Sequence, residues 1–219
     1  MSGIPSPTVA LLAARAALLA VPGQRRILGI SGAPGSGKST LADQLAAALG
    51  ERSSVVGMDG FHLANCQLEA DQRPRKGASD TFDADGYLAL LRRLRENAEP
   101  VIYAPRFSRE LDEPVAGAVA VPQRVQLVIT EGNYLLLDSA PWVGVRELLD
   151  EAWQLVDESP QLRRDRLVER YLGFGWSRAR AEEKAAGVDE QNSALVDAVA
   201  GRADLLVELS GNSRHESES

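Results

Sequence analysis

Residues 25–41 read Arg-Arg-Ile-Leu-Gly-Ile-Ser-Gly-Ala-Pro-Gly-Ser-Gly-Lys-Ser-Thr-Leu. Ile27, Leu28 and Ile30 form a short apolar run suited to a buried strand, and Leu41, Leu45 and Leu49 continue at helical spacing. Between them Gly32-Ala33-Pro34-Gly35-Ser36-Gly37-Lys38-Ser39 fits the spacing G-x-x-x-x-G-K-[ST]. Strand, glycine loop and helix in that order make a phosphate cradle. Glycines at 32, 35 and 37 let backbone N–H groups turn inward, and a helix starting near Lys38 aims its positive end at the same point. Lys38 supplies a mobile charge for β and γ phosphates, Ser39 is placed to ligate Mg²⁺, and Thr40 can donate to a neighbouring phosphate oxygen. The dinucleotide pattern G-x-G-x-x-G fails, because Thr40 stands where its last glycine belongs.

Working outward, the 219 residues suit one α/β domain over 1–210, followed by a polar tail, 211–219, expected to be disordered. A hydrophobic content of 44% is that of an ordinary globular chain, and a formal net charge of −7 argues against broad binding to nucleic acid or anionic membranes. Cys66 is the sole cysteine, so no intramolecular disulfide forms, which fits a reducing, cytoplasmic compartment; the residue itself is expected to be semi-buried. The apolar run from Val9 to Val21 is interrupted by Arg15 and too short to span a bilayer, so it reads as a helix of a soluble protein.

A second strand over Ser53 to Met58 ends in Asp59-Gly60-Phe61-His62, and another near Arg124 to Thr130 ends in Glu131-Gly132-Asn133-Tyr134. Between them lie a polar loop from Leu68 to Asp83, a helix capped by Asp85 and running to about Asn97, and a hairpin excursion, Val101–Ala104 with 115–121, connected through Arg106-Phe107-Ser108-Arg109. Beyond them come a helix near Trp142 to Leu149 and a strand near Ala152 to Val156. Helices then follow from Pro160 to Leu172, Ser177 to Ala186 and Glu190 to Ala200, with a closing strand at Ala203 to Leu209. Strands alternating with helices imply a mostly parallel sheet covered on both faces.

Acidic residues at strand ends point into the ligand crevice of such a sheet. Glu131 is the candidate to orient Mg²⁺ opposite Ser39, and Asp59 the candidate to accept a hydroxyl proton. Arg163, Arg166 and Arg170 share one helical face, which suggests a lid over roughly 160–187 closing on a transferring phosphate. Arg73, Arg75 and Lys76 beside Asp80 and Asp83 make a mixed-charge loop suited to an anionic or polyhydroxylated partner. His62 and His215 do not form a metal site with one cysteine.

With these residues laid out, the chain resembles the branch of P-loop kinases that contains uridine kinase, type I pantothenate kinase and phosphoribulokinase. Gly32 to Thr40 resembles their phosphate loop, Asp59-Gly60-Phe61 their acceptor-activating box, and Arg75-Lys76-Gly77 through Thr81-Phe82-Asp83 their acceptor-side segment. Tyr103-Ala104-Pro105-Arg106-Phe107, Thr130-Glu131-Gly132-Asn133-Tyr134-Leu135 and Asp189-x-x-Asn192 look like a bacterial subgroup labelled nucleoside/nucleotide kinase or fructose transport system kinase. Where relatives often carry proline, this chain has Ser79.

The resemblance implies a three-layer P-loop NTPase fold with a helical lid, and an ATP- and Mg²⁺-dependent kinase acting on a hydroxyl of a nucleoside, a sugar or a pantothenate-like compound. It implies Asp59 as base, Lys38 and Ser39 on ATP–Mg, Glu131 near the metal, and Arg166 or Arg170 in the lid. Phe61, His62, Arg75, Lys76, Phe82, Asp83 and Arg106 are the expected acceptor-binding residues. The competing expectation is a regulatory ATP-binding module acting through a partner, which would need no alcohol base. A homo-oligomer is left open.

Overall fold

The computed structural model describes residues 7–156 and 159–209; the expected tail and His215 lie outside the described residues. Along the chain, α1 (Pro7–Leu19) precedes β1 (Arg26–Gly32) and α2 (Lys38–Leu49). Then β2 (Ser53–Gly57) runs into a 3-10 turn over Met58–Phe61, and α3 (Ala84–Glu96) leads to the hairpin of β3 (Val101–Ser108) and β4 (Glu113–Pro122). β5 (Leu127–Gly132), α4 (Val143–Leu148) and β6 (Glu151–Val156) follow. Three helices, α5 (Pro160–Gly173), α6 (Arg178–Ala186) and α7 (Val188–Ala198), then precede β7 (Leu205–Glu208).

Five strands pair in the order β2-β5-β1-β6-β7, and every neighbouring pair is parallel. The antiparallel hairpin β3-β4 forms a separate two-stranded sheet, so the main sheet is parallel throughout. Alternation along the strands divides the core into two layers. Leu28 and Ile30 of β1, Leu127 and Ile129 of β5, and Trp153 and Leu155 of β6 pack under α1 and α2. Ile27, Val128 and Ala152 face the other way, against α3, α4 and the hairpin. Buried Leu41 and Leu45 of α2, each worth about 1.5–3 kcal/mol on burial, explain why the helical run after the phosphate loop stays docked on the sheet. A third, small cluster joins α5 to α6 through Leu167, Val168, Tyr171, Ala181 and Ala185.

Strand order sets the positions that matter. β5 lies between β1 and β2, with Glu131 beside Ile30 on one side and Gly57 on the other. Glu131 therefore stands between the phosphate loop after β1 and Asp59 after β2.

Several local expectations are corrected. Asp83, not Asp85, caps α3: its carboxylate accepts from the Gly86 N–H at 2.9 Å. β2 stops at Gly57, because Met58 already belongs to the 3-10 turn. The hairpin strands are longer than expected, and Arg106 to Ser108 lie within β3 rather than in the connection. β5 begins at Leu127, because the Val125 N–H is turned back onto the Pro122 carbonyl at 3.0 Å. Cys66 is exposed rather than semi-buried, on a short 3-10 turn. Among the described residues no helix is long and apolar enough to cross a membrane.

Candidate active site

The carboxyl ends of β1, β5 and β2 open on a cavity of about 850 Å³, within the usual range for small-molecule sites. On its donor side the phosphate loop turns through left-handed glycines, Gly35 at φ 81° and Gly37 at φ 91°, and Gly37 is the N-cap of α2. Gly35 is also a close approach. A Cβ there would stand 2.9 Å from Leu167 Cγ and 3.2 Å from the Arg163 carbonyl, so α5 rests directly on the loop. Pro34, Gly35, Lys38 and Ser39 line the cavity, while Gly32, Ala33, Ser36, Gly37 and Thr40 shape the loop around them. Lys38 Nζ donates to the Ala33 carbonyl at 2.9 Å. The buried Ser36 hydroxyl has no hydrogen-bond partner among the described residues. An orphaned buried hydroxyl in a glycine cradle at a helix N-terminus fits a phosphate oxygen, so the loop suits the nucleotide its sequence implies.

The three arginines of α5 separate. Arg163 is turned inward, 5% exposed and 3.9 Å from Glu190. Arg166 Nη1 donates to the Gly35 carbonyl at 3.3 Å, and Arg170 lines the cavity with its buried Nε unpartnered among the described residues. Helical periodicity alone grouped them; packing on the phosphate loop assigns each a different direction.

Glu131 lies on the cavity floor. Burial pushes its carboxyl up to about 7, the neighbouring Asp59 charge pushes the same way, and Lys38, the Ser39 hydroxyl that hydrogen-bonds to it, and Arg109 oppose the shift. Among the described residues no group of three His, Cys, Asp or Glu side chains could hold a metal unaided. A hydroxyl and a carboxylate fit Mg²⁺, which is usually held by one or two carboxylates together with substrate phosphates and water. Ser39 and Glu131 are the residues that could hold it.

Asp59 faces the cavity from the 3-10 turn after β2. Gly60 is needed there, because a Cβ would lie 2.5 Å from the Pro105 carbonyl oxygen of β3. His62 closes the turn with Nδ1 2.8 Å from the Asp59 carbonyl oxygen, so Nδ1 carries the proton and Nε2 keeps its lone pair. Its ring lies 4.0 Å from that of Phe82 and 4.6 Å from that of Phe107, and burial lowers its pKa.

The acceptor-side segment is clamped through its carbonyls. Gly77 O accepts from Tyr134 Oη at 2.6 Å and Asn192 Nδ2 at 3.0 Å, Lys76 O accepts from Lys184 Nζ at 2.8 Å, and Ser79 O accepts from Trp142 Nε1 at 3.1 Å. Arg75 is held by Asp80 through two bonds of 2.9 and 2.8 Å, and Lys76 Nζ reaches Asn65 Oδ1 at 2.8 Å and Asp112 at 3.4 Å. Asp189 accepts from Tyr171 Oη at 2.7 Å, which ties α7 to α5.

Of the acceptor residues expected from the sequence, His62, Arg75, Lys76 and Phe82 line the cavity. Phe61, Asp83 and Arg106 are not on its wall. Phe61 packs on Tyr87 at 5.2 Å, and Asp83 is spent on the α3 cap. Arg106 is exposed, and the wall is carried by Phe107 and Arg109 instead. Past the register shift between Ala104 and Arg106, alternation turns Phe107 away from the side that Arg106 takes, and Arg109 follows in the turn beyond β3. The alternation was legible in the sequence, whereas the face it presents was not. Lys184, Asn65 and Asp112 also line the cavity and carry no sequence signal that marks them.

No protein-family model matches the chain. The chain is 36% identical over 183 residues to a Schizosaccharomyces pombe protein provisionally named uridine kinase C227.14, covering 78% of this chain and 76% of that one. It is also 36% identical over 171 residues to the ATP-dependent kinase-like protein notR' of Aspergillus versicolor, covering 74% of this chain and 98% of that one. Among solved structures, a protein of Silicibacter sp. TM1040 provisionally assigned as a fructose transport system kinase superposes with a TM-score of 0.81 at 37% identity, over 94% of this chain and 100% of the other. With a phosphate loop, strand order and relatives that agree, the chain belongs to the P-loop kinases of the uridine kinase and phosphoribulokinase branch.

Proposed function

We propose that the protein is an ATP- and Mg²⁺-dependent kinase that transfers the γ-phosphoryl group to a hydroxyl of a small polar metabolite, with residues 1–210 acting as one domain and 160–187 as its lid. The observation that carries this reading is the meeting of a phosphate loop, Glu131 and Asp59 in one cavity, with an aromatic-walled recess beyond Asp59. A nucleotide switch requires the loop alone. An alcohol-directed transferase also requires a carboxylate facing the second half of the cavity, and Asp59 fills that role.

The phosphate-loop amides, Ser36 and Lys38 bind and orient the β and γ phosphates, and Arg170 neutralises charge on the transferring group. Arg166 braces the loop through the Gly35 carbonyl. Mg²⁺, held by Ser39 and Glu131, supplies neutralisation of the phosphate oxygens. Asp59 aims the acceptor hydroxyl and takes its proton as the new P–O bond forms and the electron pair of the breaking bond leaves with ADP. Positioning and electrostatics do most of the catalysis, which for kinases as a class gives turnover of about 1–100 per second.

ADP release measured with MgATP over nucleosides, sugars and hydroxy acids tests this. Acceptor-dependent release is expected. Tight MgATP binding with ATP consumption that no acceptor stimulates would overturn it in favour of the regulatory module.

A further inference from the structure

The cavity wall holds cations that the transfer reaction described above does not use. Arg73 precedes the acceptor-side segment, Arg109 follows Phe107 at the end of β3, and Lys184 projects from α6. They come from three separate elements, and Lys184 and Arg73 are both tied to the part of the wall built by Lys76. Lys184 Nζ bonds the Lys76 carbonyl at 2.8 Å, and Lys76 Nζ lies 5.3 Å from the Phe107 ring centre. Arg73 Nη2 donates to the Asn65 carbonyl at 3.1 Å, and the same Asn65 holds Lys76 through its side chain. The Arg109 guanidinium sits 5.3 Å over the exposed Phe174 ring, and its charge is felt at Glu131.

Among the described residues no carboxylate forms an ion pair with any of these three cations within 4.0 Å. The carboxylates that share the cavity are otherwise engaged or at its edge: Asp112 pairs with Lys76, Asp189 takes the Tyr171 hydroxyl, and Glu183 is exposed. In a chain of net charge −7 this is a local excess of positive charge. Lys184 is the most telling member. Its half-buried ammonium has a backbone carbonyl as hydrogen-bond partner; burial lowers its pKa against the more distant charges of Asp189 and Asp112, neither of which pairs with it, so no anion among the described residues touches it directly. The triphosphate does not supply that anion in the reading above, where the phosphate loop, Lys38 and Arg170 receive it.

We propose that the acceptor end of the cavity is an anion-binding subsite, so that the phosphoryl acceptor carries a carboxylate or phosphate group remote from its reactive hydroxyl and Arg73, Arg109 and Lys184 receive it. This rests on the kinase reading. It adds that neutral nucleosides and neutral sugars are poor acceptors compared with hydroxy acids or sugar phosphates. Guanidinium groups suit both anions through paired N–H donors.

The test uses protein loaded with Mg²⁺ and the non-hydrolysable nucleotide AMP-PNP, which fills the donor end. Inorganic phosphate and acetate are then titrated separately by calorimetry, against wild type, Arg73→Gln, Arg109→Gln and Arg106→Gln. Arg73 and Arg109 are exposed, so their replacement leaves the core intact. At least one anion is expected to bind the loaded wild type. Its affinity should fall about tenfold or more in Arg73→Gln and Arg109→Gln and stay unchanged in Arg106→Gln, with AMP-PNP affinity alike in all four. Preference for phosphate over acetate, or the reverse, identifies which anion the acceptor carries.

Absence of binding by both anions to loaded protein, or binding that neither arginine substitution weakens, overturns the subsite and leaves the kinase reading standing. Failure of AMP-PNP to bind overturns the kinase reading and the subsite with it. Among hydroxylated acceptors matched in skeleton, a neutral member turned over as efficiently as its anionic counterpart also overturns the subsite.

Discussion

The two ends of the cavity, proposed above as donor and acceptor ends, are built in opposite ways. The donor end is nine successive residues, 32–40, between a strand and the helix it feeds, and its geometry follows from glycine conformations and one helix N-terminus. The acceptor end is gathered from the turn after β2, the segment around residues 73–82, the end of β3 and three helices. A local motif tolerates change elsewhere, whereas an assembled wall depends on every element that delivers a residue to it. Substitutions at the two ends should therefore separate nucleotide binding from acceptor handling.

The largest effect is expected at the junction. Asp59→Asn should lower kcat by about 10²–10⁴-fold with MgATP affinity retained, read from steady-state rates and nucleotide titration. Normal turnover in that variant would remove Asp59 as base and dissolve the junction.

Next comes the metal side of the donor end. The Glu131 carboxyl is raised from its ordinary 4.5 to about 7 in the folded chain, so its contribution to stability is complete below pH 4.5 and is lost as pH rises through 7. In metal- and nucleotide-free protein, Glu131→Gln should thus gain stability relative to wild type between pH 4.5 and 7, by up to about 3 kcal/mol, and no further above that. Thermal melts across that range in EDTA check this, and a difference that does not vary with pH would show that Glu131 is not held away from solvent. With MgATP present the advantage should vanish, because the ionised carboxylate is then the useful form.

A smaller effect is expected at the clamp on Gly77. Asn192→Ala removes one of the two donors to that carbonyl and should raise the acceptor KM about tenfold, with MgATP affinity unchanged, since Tyr134 still holds the other bond. An equal loss in nucleotide affinity would mean that α7 serves both ends. The smallest effect belongs to Arg106→Gln, exposed and off the cavity wall, for which kcat/KM should move less than about twofold.

Legibility follows the same division. The strand, loop and helix around Lys38 could be read from local spacing, because glycine turns, apolar periodicity and a following lysine each constrain the chain within a few residues. Asp59 and Glu131 were legible as strand-end acids, and the register of β5 between β1 and β2 explains why both reach one cavity. A helix cap and a binding carboxylate look alike in sequence, and at Asp83 the Gly86 N–H shows the cap. Arg106 and Arg109 were indistinguishable for a different reason, since alternation tells which residues share a face but not which face meets the cavity.

By itself the sequence determined the donor end, the alternation of strands and helices and the pair of acids, all features set by interactions between near neighbours in the chain. The tertiary structure alone decided that α5 sits on Gly35, that Arg163 is buried while Arg170 faces the cavity, and that Arg73, Arg109 and Lys184 line one cavity. Those contacts join segments tens of residues apart, and they form only when α5 packs on the phosphate loop and on α6 and the β3–β4 hairpin packs on the sheet.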